Sequence, residues 1–443
     1  MPTATQLEFE GLPGYSPRES LLNPRTEHVF SISQKNQKWA SLYVLNYAKS
    51  SSPLPVLLQG LEMPCRVELD LPKSTQIRKV MATVQASVTS AEWQGINPIE
   101  DQSRESGKVF YTKKHVLWDS TIGQRPSSLQ GHHSWSFSVG LPTQVSLSGK
   151  PTDFFSTPPG FAEPGVPVNI DYQIRVQIKQ GWTSGSCLLG RFGYLPLDVA
   201  GPPSPLRTLV YQEGVGNLLG PDPDPEGWLV LPPVTTTGTL FSVRKAEIQV
   251  TLAIAKPLCY SLNTPIPLIL ALESNDTQAL DVVSHPSMIH LHLARTLSFK
   301  RKPPATGDAA RQGQTVELVT SAYFWPETPP GLRSGSTSGD SLNKRVLRGE
   351  VLVHRSLKPS FTFPRLTVQY ELDLFSFEGP GFVPAIPSTS AKTLAPTPLI
   401  AQPIKVVACH PPGILARSFA PPGSPDLSTL VTSIPPDLIR VLY

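Results

Sequence analysis

The chain has 443 residues, enough for two or three domains that each bury a core of their own. Its 49 prolines are about twice the usual frequency, and charged residues reach only 16% against roughly a quarter in an average domain, which excludes a coiled coil and a charge-driven disordered chain. The net charge of +4 without a long basic run argues against nucleic acid as a partner, and no apolar run approaches the roughly 18 residues of a membrane span.

Residues 1–25, ending GLPGYSPRESLLNPR, are rich in Pro, Gly and Ser and read as a flexible tail. Short alternating segments follow, expected as strands at 28–32, 40–47, 56–58 and 65–71, then at 76–88 and 107–118. In residues 132–182 the alternation is cleanest. Trp135, Phe137, Val139 and Leu141 oppose Ser134, Ser136 and Ser138, and Ile170, Tyr172, Ile174, Val176 and Ile178 oppose Asp171, Gln173, Arg175, Gln177 and Lys179. Each half is a strand with one buried and one wet face. The Pro- and Gly-bearing excursion 143–167 between them is too long for a hairpin turn, so the two strands are expected to be bridged across a sandwich and not tightly paired. With 187–197, residues 26–200 make a first β-sandwich.

Residues 201–233 (GPPSP, LLGPDPDPEGW, VLPPV) have the composition of a Pro-rich linker. The strand pattern restarts over 234–410, with Ala246, Ile248, Val250, Leu252 and Ile254 on one face of a strand and Leu366, Val368, Tyr370, Leu372 and Leu374 on one face of another. Polar stretches at 300–314, 327–345 and 379–398 read as mobile insertions, and 411–443 as a Pro-rich tail. No stretch shows a convincing amphipathic helix. The nearest, 426–442, is cut by Pro435 and Pro436. The expected fold class is therefore all-β, with two tandem immunoglobulin-like antiparallel β-sandwiches.

Chemistry is marked mostly by absences: no G-x-S-x-G elbow, no phosphate-cradling loop, no H-E-x-x-H and no CxxC pair. Cys65, Cys187, Cys259 and Cys409 lie far apart, and the N-terminus lacks both a basic start and an apolar core, which leads to the expectation of a reducing, cytosolic compartment. His290 and His292, spaced to share one side of a strand, lack a third ligand nearby and read as a solvated face. His132 and His133 are adjacent and so point to opposite sides of their strand. Asp222, Asp224 and Glu226 suit a Pro-stiffened linker better than a calcium loop. The reading is of a protein that is not an enzyme and needs no metal or cofactor. Lys113 and Lys114, and Lys300, Arg301 and Lys302, are the candidate contacts for a phosphate or lipid headgroup. In the N-terminal tail, LPGY offers a proline ring and a tyrosine to an aromatic-lined groove.

Laid out in this order, the chain resembles the arrestin-like family, in particular the fungal arrestin-domain proteins related to α-arrestins. The resemblance rests on CRVELDLPKSTQIRKVMATVQASV, HHSWSFSVGLP and VNIDYQIRVQIKQGW in the first half, and on AEIQVTLAIAKPLCYSLNTPIPLILALESND, PSFTFPRLTVQYELDL and AQPIKVV in the second, covering residues 26–410. It implies two arrestin-type sandwiches and an adaptor that binds cytoplasmic tails of transporters or receptors, recruited peripherally to the plasma membrane or endosomes. It also implies recruitment of a HECT-class ubiquitin ligase through a WW domain. The counterpart of the family's PPxY motif is LPGY, in which Pro13 and Tyr15 match and Leu12 replaces the first proline; the C-terminal PPGI, PPGS and PPDL are not PPxY. The alternative is a scaffold or sorting-coat subunit that uses the same double sandwich without a ligase.

Overall fold

The computed structural model describes residues 26–34, 37–46, 54–90, 108–122, 126, 128–147, 153–181, 184–214, 218–300, 312–327, 342–385, 397–427 and 440–442. Contacts divide the chain into two compact units. Unit 1 takes Met1–Val88, Gly107–Phe161 and Ile170–Leu195; unit 2 takes Thr89–Ser106, Ala162–Asn169 and Pro196–Tyr443. The fold is all-β, as the alternation requires.

Unit 1 is built on β1 (Thr26–Gln34), β2 (Gln37–Asn46), β3 (Val56–Leu58), β4 (Met63–Ser90), β5 (Lys108–Asp119), β6 (Ser128–Val139), β7 (Gln144–Ser146), β8 (Phe154–Ser156), β9 (Val168–Gln180) and β10 (Ser184–Leu195). Its organising element is β4, a single strand of 28 residues where the sequence suggests two. The first half of β4 pairs with β2 and β6, the second with β5 and β9. Pro72 has no N–H to give a ladder, and it falls within the irregularity between Leu71 and Thr75 where pairing with β6 lapses. The sheet is thereby carried into two layers. Gly190 on β10 lies against Phe30 of β1 and Leu42 of β2, and the His115 ring on β5 sits 5.3 Å from Phe137 on β6. The core between the layers takes Leu42, Val67 and Leu69 together with Val80, Val84, Tyr172 and Val176, all buried. β6 and β9 each border β4 and do not pair with one another among the described residues. The excursion between them contains the β7–β8 hairpin.

Unit 2 contains β11 (Trp228–Val230), β12 (Val234–Leu240), β13 (Arg244–Ala255), β14 (Cys259–Ser261), β15 (Thr264–Glu273), β16 (Leu291–Lys300), β17 (Gln312–Ser321), β18 (Tyr323–Pro326), β19 (Lys344–Val353), β20 (Phe361–Phe363), β21 (Leu366–Leu374), β22 (Phe382–Pro384), β23 (Ile400–Val407) and β24 (Arg440–Leu442), with helices α1 (Pro205–Glu213) and α2 (Thr277–Val283). These strands make two seven-stranded sheets. One runs β18-β19-β15-β13-β12-β22 with β11 on β13; the other runs β14-β23-β21-β16-β17-β24 with β20 on β21. Ile248, Val250 and Leu252 of the first sheet, and Val368, Leu372 and Val406 of the second, are wholly buried, the pattern of a β-sandwich core.

Three stretches depart from the sequence expectations. Residues 201–233 are not an open linker: they hold α1, a turn of 3-10 helix at Pro225–Gly227, and β11. The prolines permit this because Pro205 occupies the first turn, where its missing N–H is not needed. Ser204 caps the Arg207 N–H at 3.2 Å, and Gly214 closes the helix at φ 69°. The segment expected as an insertion at 379–398 supplies β22, which pairs with β12. Finally, residues 411–427 of the expected tail lie on unit 2, with Leu427 buried.

Candidate functional site

β9 and β10 form a ladder in which Arg175 stands opposite Leu189, Lys179 opposite Gly185, and Arg191 opposite Gln173. Directly opposed residues share a face, so Arg175, Lys179 and Arg191 all project from the side away from buried Tyr172, Ile174 and Val176. On the neighbouring part of the sheet, Lys114 of β5 lies opposite Thr83 of β4, out of phase with the core residues Val80, Ala82 and Val84, and so joins the same outward face. Leu189, 41% exposed, sits among the cations. Asp171 is the carboxylate on this face of β9, and none of the four cations enters an ion pair among the described residues. The sheet thus displays four cations without an ion pair among the described residues: Arg175, Lys179 and Arg191 on the adjacent strands β9 and β10, about 4.8 Å apart, and Lys114 on the far side of β4.

The sequence candidates divide. Lys114 lies on this face, whereas Lys113 opposes Val84 and is turned to the other side, where burial and, to a lesser degree, the Lys113 charge hold the His115 pKa below the usual imidazole range. Lys300 ends β16 exposed in unit 2; Arg301 and Lys302 lie outside the described residues, as do Leu12, Pro13 and Tyr15. Sequence reasoning does not single out Arg175, Lys179 and Arg191. They alternate visibly with apolar residues, but only the β9–β10 register brings them together.

The histidines take structural partners. His290 Nε2 lies 3.2 Å from the Glu378 carbonyl, and His292 Nδ1 lies 3.1 Å from Ser321 Oγ. Burial lowers the His292 pKa to about 4. Its cross-strand neighbour Asp373 is buried, with its pKa raised to about 7 by burial and by Glu371. His133 stacks on Trp135 at 5.9 Å. Asp224 is buried and accepts from Ser204 Oγ at 2.6 Å and from the Gly227 N–H at 3.1 Å, which makes it a cap and not a calcium ligand. Among the described residues no group of three or more His, Cys, Asp or Glu side chains is placed to hold a metal ion, and no helix is long and apolar enough to cross a membrane.

Unit 2 has a second surface feature at the turn joining β12 to β13. Phe241 and Ser242 both have left-handed backbone, φ 47° and 58°, and the Val243 N–H returns to the Leu240 carbonyl at 3.0 Å. Two successive left-handed residues are the φ signature of a type I′ turn, normally filled by Asn and Gly, here within a three-residue loop between the paired Leu240 and Arg244; a bulky residue at such φ is strained. The side chains so held are apolar and wet: Phe241 is 52% and Val243 86% exposed, Val383 of the adjacent β22 is exposed as well, and Lys245 follows. The sequence signal, LFSVRK, is the break in alternation between two good strands.

No protein-family model matches the chain, and no curated protein matches it in sequence.

Proposed function

We propose that the chain is an arrestin-like adaptor whose first unit binds acidic or phosphorylated cytoplasmic tails of membrane proteins and directs them to endocytosis and trafficking. The observation that carries this reading is the outward face with Lys114, Arg175, Lys179 and Arg191. Unpaired guanidinium groups on a rigid sheet take phosphate or carboxylate bidentately, and rigidity spares them the ordering cost of a loop. The strained apolar turn at Phe241 to Val243 supports peripheral contact with a lipid surface. Recruitment of a WW-domain ubiquitin ligase rests on Leu12, Pro13 and Tyr15 in the sequence.

Titration of a fluorescent multiphosphorylated tail peptide, at low and physiological salt, tests the cargo half. Arg175→Glu combined with Arg191→Glu is expected to weaken binding by about tenfold or more and to flatten its salt dependence. Unchanged affinity would remove the cation face from the proposal. For the ligase half, a WW-domain panel is compared on the wild-type chain and Tyr15→Ala, with loss of binding expected. Stable stoichiometric co-purification with a fixed complex, independent of Tyr15, would replace the adaptor with a sorting-coat scaffold.

A further inference from the structure

Residues 409–427 run over unit 2 as an irregular strap, held at its start by backbone bonds, midway by one carboxylate, and at its end by the buried side chain of Leu427. At the start, the Cys409 N–H donates to the Asp198 carbonyl at 3.2 Å, the Ala200 N–H donates to the Cys409 carbonyl at 3.1 Å, and His410 Nδ1 sits 2.6 Å from Ser261 Oγ. Pro411, Pro412 and Gly413, the last at φ 107°, then form a bend. Beyond it, Ile414 and Ala416 line a cavity with Tyr211, Pro265 and Pro267 of the body, and the Phe419 ring stacks on Tyr211 at 5.8 Å.

The middle of the strap is latched by Glu350 of β19, which is 1% exposed. Both its oxygens are used by the strap: Oε1 accepts the Phe419 N–H at 2.7 Å and Oε2 accepts the Ser418 hydroxyl at 2.5 Å. No cation pairs with Glu350 among the described residues, and burial pushes its pKa up. A buried carboxylate is tolerable when it is fully hydrogen-bonded, and here the donors come from the strap. Ser418 itself is exposed, on irregular chain that can enter another protein's active site.

We infer that Ser418 is a phosphorylation site whose modification unlatches the strap from unit 2. A protein kinase would transfer the terminal phosphoryl group of a nucleoside triphosphate to Ser418 Oγ. The Oγ–P bond forms as the bond to the bridging oxygen of the nucleoside diphosphate breaks, and the hydroxyl proton passes to solvent. The ester oxygen then has no proton to donate, and close to two negative charges stand beside the Glu350 carboxylate at hydrogen-bonding range. Glu350 loses one donor and meets like charge, whereas an open strap lets water solvate both groups. The Cys409 and His410 anchors are remote from this change, so release begins past the Pro411–Gly413 bend and leaves them in place.

The test uses the full-length chain carrying phosphoserine at 418, together with Ser418→Glu, Ser418→Ala, Glu350→Gln and the double variant Ser418→Asp with Glu350→Gln. Chymotryptic cleavage after Leu415 and hydrogen exchange of residues 411–427 are measured, with thermal unfolding as the control for global damage. Phosphoserine and Ser418→Glu are expected to raise both rates about tenfold or more, and Ser418→Ala by much less, since it removes a donor without adding charge. In the double variant the amide introduced at position 350 donates to the carboxylate introduced at position 418, so rates return towards wild type; that rescue distinguishes charge repulsion from a loss of shape. Mass spectrometry of the protein from eukaryotic cells is expected to find a phosphoryl group on Ser418. Rates for phosphoserine equal to those for Ser418→Ala, no rescue in the double variant, or an unmodified Ser418 in cells would each overturn the inference.

Discussion

His292, half-buried, and Asp373, buried, stand opposite each other across β16 and β21, and they respond to pH with opposite sign. Folded Asp373 keeps its proton up to about pH 7, whereas the unfolded chain releases it near 3.8, so this residue makes stability fall as pH rises through that window. Folded His292 resists protonation down to about 4, whereas the unfolded chain takes the proton near 6.5, so it makes stability fall as pH drops from 6.5 towards 4. Between those limits the two slopes oppose. Asp373→Asn is therefore expected to match wild type below pH 4, to gain stability above pH 7 by on the order of 2 kcal/mol, and to show a steeper rise between pH 4 and 6.5. Chemical denaturation across pH measures all three. No sequence pattern carries this: His292 alternates like any wet strand residue, and its burial depends on Ser321 and Phe375, which the chain brings back from far along its length.

At the scale of elements, alternation is a dependable guide wherever a strand has one dry face. The pattern over β21 ends at Leu366 and Leu374, where the strand itself ends, and β3 is equally legible at Val56–Leu58. Pro72 misleads because a proline usually ends a strand, and here it sits in a bulge of β4 instead. α1 is hidden by the prolines around it, although Ser204, Pro205 and Gly214 are helix punctuation in the right order. Some glycines in strands are also explained by pairing. Gly349 of β19 faces Phe324 of β18, and a methyl group there would lie 2.5 Å from the ring. Gly349→Ala should cost about 1–3 kcal/mol in equilibrium unfolding, since both residues are buried. The β12–β13 turn predicts the opposite sign. Replacing Phe241 and Ser242 by Asn and Gly relieves two left-handed residues and should stabilise the chain by about 1–2 kcal/mol, while reducing sedimentation with anionic vesicles. Vesicle binding that survives the exchange would take the turn out of the membrane contact.

For the whole molecule, the sequence carries the all-β class and the restart of the strand pattern after residue 233, because both follow from local periodicity. It carries the cation face only in part: Lys114 is visible, whereas Arg175, Lys179 and Arg191 become a surface through the register of two strands. The strap is out of its reach, since the latch joins Glu350 to Ser418 and Phe419, and nothing near either segment announces the other. On the adaptor reading, charge reversal on unit 1 and the Tyr15→Ala change should act separately. The first lowers affinity for acidic tails and spares the WW domain, and the second does the reverse.

The length of β4 also governs how unit 1 can assemble. Residues 80–88 find their partners on β5 and β9, and residues 63–71 find theirs on β2 and β6, so the strand is satisfied only after the chain has been made as far as Gln180. Pairings at such sequence separation are slow to form, because the entropy of closing long loops is lost before the contacts are gained. During synthesis, Val80, Val84 and Val88 therefore wait as an apolar strand with open edges. A ribosome stalled before β9 would hold a chain whose open β4 edge makes it a substrate for chaperones.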